Sequence, residues 1–148
     1  MRDKLRLVAN VHVELFGPDG ELKDERRVHN LVVDTGEAHI ADQLSSAPGQ
    51  AVMSHMAIGT GSTAAAGGDT TLGAETDRNA LTSRTDAGAV VTYVGNWAAG
   101  DGTNAALREA GIFNAAAAGT MLARVVYANI DKQAADTLQI TWTLTFAG

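Results

Sequence analysis

Four charged residues stand where they could do chemistry: Glu75, Arg78, Arg108 and Glu109. They flank apolar segments beside two small-residue loops, residues 59–70 and 98–105. Two carboxylates sharing a cleft can divide acid and base roles between them. The same residues can instead form structural ion pairs that pin the loops to a sheet, because charges near a core persist when they are partnered. The ion-pair reading is preferred, and no catalytic residue is assigned. Gly59-x-Gly61 follows an expected strand, as a phosphate loop would. No Lys-Ser/Thr follows it, the third glycine is missing and no helix comes next, so a tight loop is expected and no cofactor. The histidines, His12, His29, His39 and His55, match no familiar zinc spacing, and no cysteine completes one. No metal is expected, and His12 and His29 are placed facing each other across a hairpin. Ser54 and His55 are neighbours that a strand would point to opposite faces. No Gly-x-Ser-x-Gly elbow presents a serine, so no hydrolytic triad is expected.

The composition narrows the function classes further. The chain has 148 residues, the size of one ordinary domain, and 45% of them are hydrophobic. Aromatics are 5%, so Ala, Val, Leu and Ile must fill most of the core. A net charge of −6 argues against nucleic acid as a partner, since such affinity is built from Lys and Arg on phosphates. The basic residues that do cluster are Arg2, Lys4, Arg6, Lys23, Arg26 and Arg27, interleaved with Asp3, Glu21, Asp24 and Glu25. That mixture reads as a solvated strand edge. Cysteine is absent, which rules out disulfides and thiolate chemistry. The first ten residues lack the apolar core of a signal peptide. No apolar run approaches the roughly 18 residues of a membrane span, so no membrane partner is expected.

The elements that must position these residues are mostly strands. Residues 5–16 alternate, with Leu5, Leu7, Ala9, Val11, Val13 and Leu15 on one face. Gly17-Pro18-Asp19-Gly20 is a turn, and residues 21–33 return with the charged stretch 23–27 at an exposed hairpin end. Asp34 and Glu37 have capping-box spacing, and Ala38, Ile40, Ala41 and Leu44 form a helical stripe. One helix of two to three turns against a sheet is expected there. Strands are expected over 52–58, 79–85 and 89–97, with 71–78 ambiguous. A hairpin is expected from 107–114 and 120–129. The final strand is the clearest: Leu138, Ile140, Trp142, Leu144 and Phe146 alternate with Thr137, Gln139, Thr141, Thr143 and Thr145. Short strands between glycine-rich turns predict a single all-β domain over 1–148, a β-sandwich or jelly roll with one short helix.

An ordered set of short motifs adds a resemblance. Met56-Ala57-Ile58-Gly59-Thr60-Gly61 is followed by Thr71-Leu72 with Glu75 and Arg78. Then come Leu107-Arg108-Glu109-Ala110-Gly111-Ile112-Phe113-Asn114 and Gly119-Thr120-Met121-Leu122-Ala123-Arg124, and the strand from Asp136 to Leu144 closes the set. Over about two-thirds of the chain, residues 53–146, this resembles a group of tailed-bacteriophage structural proteins. The Ala-rich turn 115–118 and the charged first hairpin depart from that pattern. The resemblance implies a virion component, made in the host cytoplasm. Capsid decoration (cement) proteins and tail-fibre or tail-tip modules both have short β-rich domains of this kind. The sequence stops at Ala147-Gly148, just after its last expected strand, which tilts the expectation to a decoration protein on the capsid surface. Its partners would then be the major capsid protein and itself, as a dimer or trimer. Residues 1–33 are the expected contact arm, with Arg2, Lys4, Arg6, Lys23, Arg26 and Arg27 as contact candidates. A receptor-binding tail module would want an aromatic platform, for which Tyr93, Trp97, Tyr127 and Trp142 are available.

Overall fold

The computed structural model describes residues 5–147. Ten strands and one helix follow in the order β1 (Arg6–Phe16), β2 (Leu22–His29), β3 (Leu31–Val32), α1 (Asp34–Gln43), β4 (His55–Gly59), β5 (Glu75–Ala80), β6 (Ser83–Ala87), β7 (Val90–Trp97), β8 (Asn104–Phe113), β9 (Met121–Lys132) and β10 (Thr137–Ala147). They form two five-stranded antiparallel sheets, β2-β1-β10-β7-β6 and β3-β9-β8-β4-β5. The fold is an all-β sandwich with a short helix, as the alternation of apolar residues predicts.

One core lies between the sheets. Val11, Val13, Ile140 and Trp142 of the first sheet meet Met56, Ile58, Leu107 and Ile112 of the second. Each fully buried aliphatic side chain contributes about 1.5–3 kcal/mol relative to exposure. The period-two pattern of β1 and β10 is what puts these residues inside. Leu138, Ile140, Trp142 and Leu144 are all buried, and the intervening Thr141, Thr143 and Thr145 are half-buried on the opposite face.

The chain changes sheet after each hairpin, and two crossings fall inside segments expected to be continuous strands. The return strand 21–33 is broken at Asn30, where β2 leaves the first sheet and β3 joins β9. With its amide oriented to satisfy both partners, Asn30 accepts from Trp142 Nε1 at 2.9 Å and donates to the Ala9 carbonyl at 3.2 Å. Polar bonds that a continued ladder would supply are thereby replaced at the crossing. The segment 79–85 is likewise divided. Leu81 N donates to the Ser54 carbonyl on one sheet, and Thr82 N to the Val94 carbonyl on the other, at 2.9 and 2.8 Å.

Helix α1 lies where it was expected but presents a different face. Gly36 and His39 are buried, Ile40 is half-buried, and Ala38, Ala41 and Leu44 are exposed. The reason is close backbone approach: a Cβ on Gly36 would lie 1.9 Å from the Leu122 carbonyl oxygen. The helix therefore docks on β9 through its backbone rather than through an aliphatic stripe. The capping box is also absent. Val33 is the N-cap and makes no side-chain cap bond, while Asp34 already lies in the first turn.

The first hairpin is part of the first sheet, with β2 at its edge. β1 sits between β2 and β10 within the sheet, paired with β10 from Arg6↔Ala147 to Phe16↔Thr137. Arg2 and Lys4 lie outside the described residues.

Candidate functional site

The outer face of the second sheet is covered by the chain itself. Residues 60–74 fold back over β4, β8 and β9. Leu72 anchors this loop in a small second cluster with Val33, Ala57, Phe113 and Met121. A polar anchor lies beside it. β8 carries register shifts between Leu107 and Glu109, so Leu107 packs in the central core while Glu109 reaches the loop.

The Glu109 carboxylate is fully buried and fully occupied. Its Oε2 accepts from Gly61 N and Ala74 N, and its Oε1 from Gly73 N, each at 2.7 Å. Arg124 Nε adds a bond to Oε1 at 3.1 Å. Both ends of the loop are thus tied to one side chain. Gly61 is required there, because a Cβ would meet Glu109 Oε2 at 2.3 Å. Arg124 is itself buried and continues the knot to Asp69 (2.8 Å) and to the Thr63 carbonyl (2.9 Å). The Ala66 N–H and the Arg124 guanidinium hold the Asp69 carboxyl below its ordinary value, against an opposing effect of burial. Tyr127 donates to the Glu109 backbone carbonyl at 3.2 Å. Burial, with the Glu109 charge behind it, raises the Tyr127 phenol far above its usual value. A carboxylate with all its acceptor capacity engaged has no lone pair free to take up a proton from a substrate.

The four charges expected to act as one group are divided. Arg78 pairs with Glu75 at 2.7 and 2.9 Å and donates to the carbonyls of Ala115 and Ala118. Its guanidinium lies 3.8 Å above the Phe113 ring. That unit holds the β8–β9 turn. Arg108 joins neither unit; its hydrogen bond among the described residues is a long 3.4 Å contact to the Thr60 carbonyl. The partner of Glu109 is Arg124, fifteen positions along the chain. Arg124 reaches the Glu109 carboxylate from the neighbouring strand β9, across the irregular stretch of β8. The loop held is 59–74, and the 98–105 loop is fixed otherwise.

At that second loop Lys132 is buried and donates to the Ala98 carbonyl at 3.1 Å. Burial lowers its ammonium value, and Asp101, Asp136 and Asp77 oppose that shift. Asp77 is raised, first by burial and then by the neighbouring Asp101. Its Oδ2 and Trp97 Nε1 are buried without hydrogen-bond partners among the described residues.

The basic contact candidates also separate. Lys23 bonds both oxygens of buried Asp136, at 2.9 and 2.8 Å. Arg26 pairs with Asp24 and donates to the carbonyls of Ala128 and Asn129 on β9. Both are engaged in closing the β2 edge of the sandwich. Arg6 and Arg27 are exposed.

The histidines depart from expectation. His12 stands opposite Arg27 and His29 opposite Asn10, so the two share a face without facing each other. His12 instead contacts Glu25 at 2.8 Å and Glu14 at 3.5 Å. Ser54 and His55 do meet, with Ser54 Oγ 2.7 Å from His55 Nδ1. Ser54 lies before β4 begins, so strand alternation does not separate them.

No protein-family profile, curated protein or solved structure matches the chain. No described helix is long and apolar enough to cross a membrane.

Proposed function

We propose that this chain is a structural component of a tailed-bacteriophage particle: a non-catalytic decoration protein that binds the outer capsid lattice, through the major capsid protein, as a dimer or trimer. The observation that carries the reading is the convergence of the resembling motifs. Gly61, Glu109 and Arg124 come from three separated motifs and meet in one knot. The motifs thus describe a device for fastening a loop to a sheet, the kind of feature a particle component needs and a reaction centre does not. The loop they fasten covers one sheet. The other sheet keeps outward Arg6, Arg27 and a threonine-lined β10, which are the groups available for lattice contacts. Among the described basic candidates, exposed Arg6 and Arg27 are the ones this reading assigns to lattice contacts, and Lys23 and Arg26 serve the fold.

The four aromatic residues that a tail receptor module would display, Tyr93, Trp97, Tyr127 and Trp142, are all buried. This favours the capsid reading over the tail reading. Copy number decides between them. A decoration protein should be present at on the order of hundreds of copies per particle, and a tail component at about three to a dozen, as ring symmetry dictates. Gel densitometry of purified virions against the major capsid protein measures it. A tail-like count transfers the proposal to the tail, and absence from virions ends it.

A further inference from the structure

The outer face of β1 and β2 carries a cluster that the histidine spacing did not reveal. His12 and Glu14 are two residues apart on β1 and therefore share a face. Glu25 on β2 stands directly opposite Glu14 in the register. One ligand-type atom from each of His12, Glu14 and Glu25 lies within 4.8 Å of the other two. Two carboxylates directly opposite each other across a ladder repel and weaken the pairing. The His12 imidazole lies against both, with Nε2 2.8 Å from Glu25 and Nδ1 3.5 Å from Glu14.

We propose that His12, Glu14 and Glu25 bind a borderline divalent cation of the zinc type. One imidazole nitrogen and two carboxylates form a nitrogen–oxygen set suited to such an ion, and three protein ligands leave coordination positions open to water. The ligands stand on two hydrogen-bonded strands, so the site is largely preassembled. The ion's positive charge offsets the repulsion between the facing carboxylates. His12 also lines a groove of about 400 Å³, together with Asn10, Arg27, His29, Thr141 and Thr143. On the β10 side the neighbours are Gln139 and Thr141, which are uncharged. On the β2 side Arg27 lies opposite His12 and opposes the ion's charge. The inference does not rest on the capsid reading, since it concerns binding by the isolated chain.

Calorimetric titration of metal-stripped full chain with zinc chloride tests it. About one equivalent should bind, with a dissociation constant on the order of micromolar. Saturating zinc should raise the thermal midpoint by linkage. His12→Ala and Glu25→Gln should each weaken binding at least about tenfold. His29→Ala and His55→Ala should leave it unchanged, and Arg27→Gln should tighten it. Thermal midpoints in chelator establish that each variant is folded, and Glu25, being exposed, gives a readout even if His12→Ala fails to fold. Absence of zinc binding, or binding unaffected by Glu25→Gln, overturns the proposal.

Discussion

On the outside of the second sheet, Glu109 and Arg124 are buried under residues 60–74 and bonded to backbone, to Asp69 or to each other. On the outside of the first, His12, Glu14, Glu25 and Arg27 are at least partly open to water, and no described chain segment covers them. The two faces belong to one sandwich and draw on the same residue types. Burial separates them: a charge under a loop must find all its partners within the molecule, whereas a charge on an open sheet can meet them elsewhere. The covered face is where stability should be sensitive, and the open face is where binding should be.

The largest effect should come from breaking the knot. Glu109→Ala leaves a buried guanidinium and three N–H groups without their acceptor, which should cost on the order of 3–5 kcal/mol. Denaturant unfolding measures the loss, and hydrogen exchange should show residues 60–74 opening with it. A loss below about 1 kcal/mol would erase the contrast between the faces.

A smaller effect is expected at the β2 edge. The Lys23 bond, and after it the Gln133 N–H, hold Asp136 below its ordinary carboxylate value against the effect of burial. A carboxyl with a lowered folded value stabilises the protein above its unfolded value, about 3.9. That contribution is lost as pH falls through the lower folded value. Asp136→Asn should therefore cost about 1–3 kcal/mol near neutrality and flatten the acid limb of a stability–pH curve. An unchanged acid limb would assign the acid sensitivity to the other lowered carboxylates, Asp24, Asp42 and Asp69.

Arg108→Ala sharpens the comparison by a single position. Its 3.4 Å contact is weak, so the loss should stay below about 1 kcal/mol, well under that of its neighbour Glu109. Equal losses at 108 and 109 would return the two to one network. The smallest change in stability belongs to the open face. Arg27→Ala should shift unfolding by no more than about 0.5 kcal/mol, while the proposed capsid role requires it to lower occupancy on purified particles. Wild-type occupancy would move the contact surface elsewhere.

What was legible in the sequence follows the same division. β1 and β10 have clean period-two alternation because each has one core face, and both were read nearly to their ends. The helix was located by its polar start and its short helical stripe, but not its buried side. Gly36 docks through absence of a side chain, which leaves no hydrophobic signal to read. The crossings at Asn30 and at Leu81–Thr82 were missed because a strand that changes sheet keeps its strand-like composition. Glu109 was singled out as a charge flanking an apolar segment, but Arg124, its partner in the structure, was not. Arg124 lies in an equally apolar run, Met121 to Val126, and within one of the resembling motifs. That was the available signal, but the pairing depends on a bulge in β8 and a loop that returns over the sheet. Neither is a local pattern.

The position of β10 has a consequence for how the protein is made. This strand is synthesised after the other nine, yet it fills the slot between β1 and β7 in the first sheet. Until it emerges, β1 and β7 each present a row of unpaired backbone groups, and the apolar faces of the first sheet have no strand between them. Sheets completed by distant segments close slowly, because loop entropy is lost before the pairing is gained. A chain paused on the ribosome before residue 137 therefore carries two open strand edges at once, each able to pair with a neighbouring nascent chain.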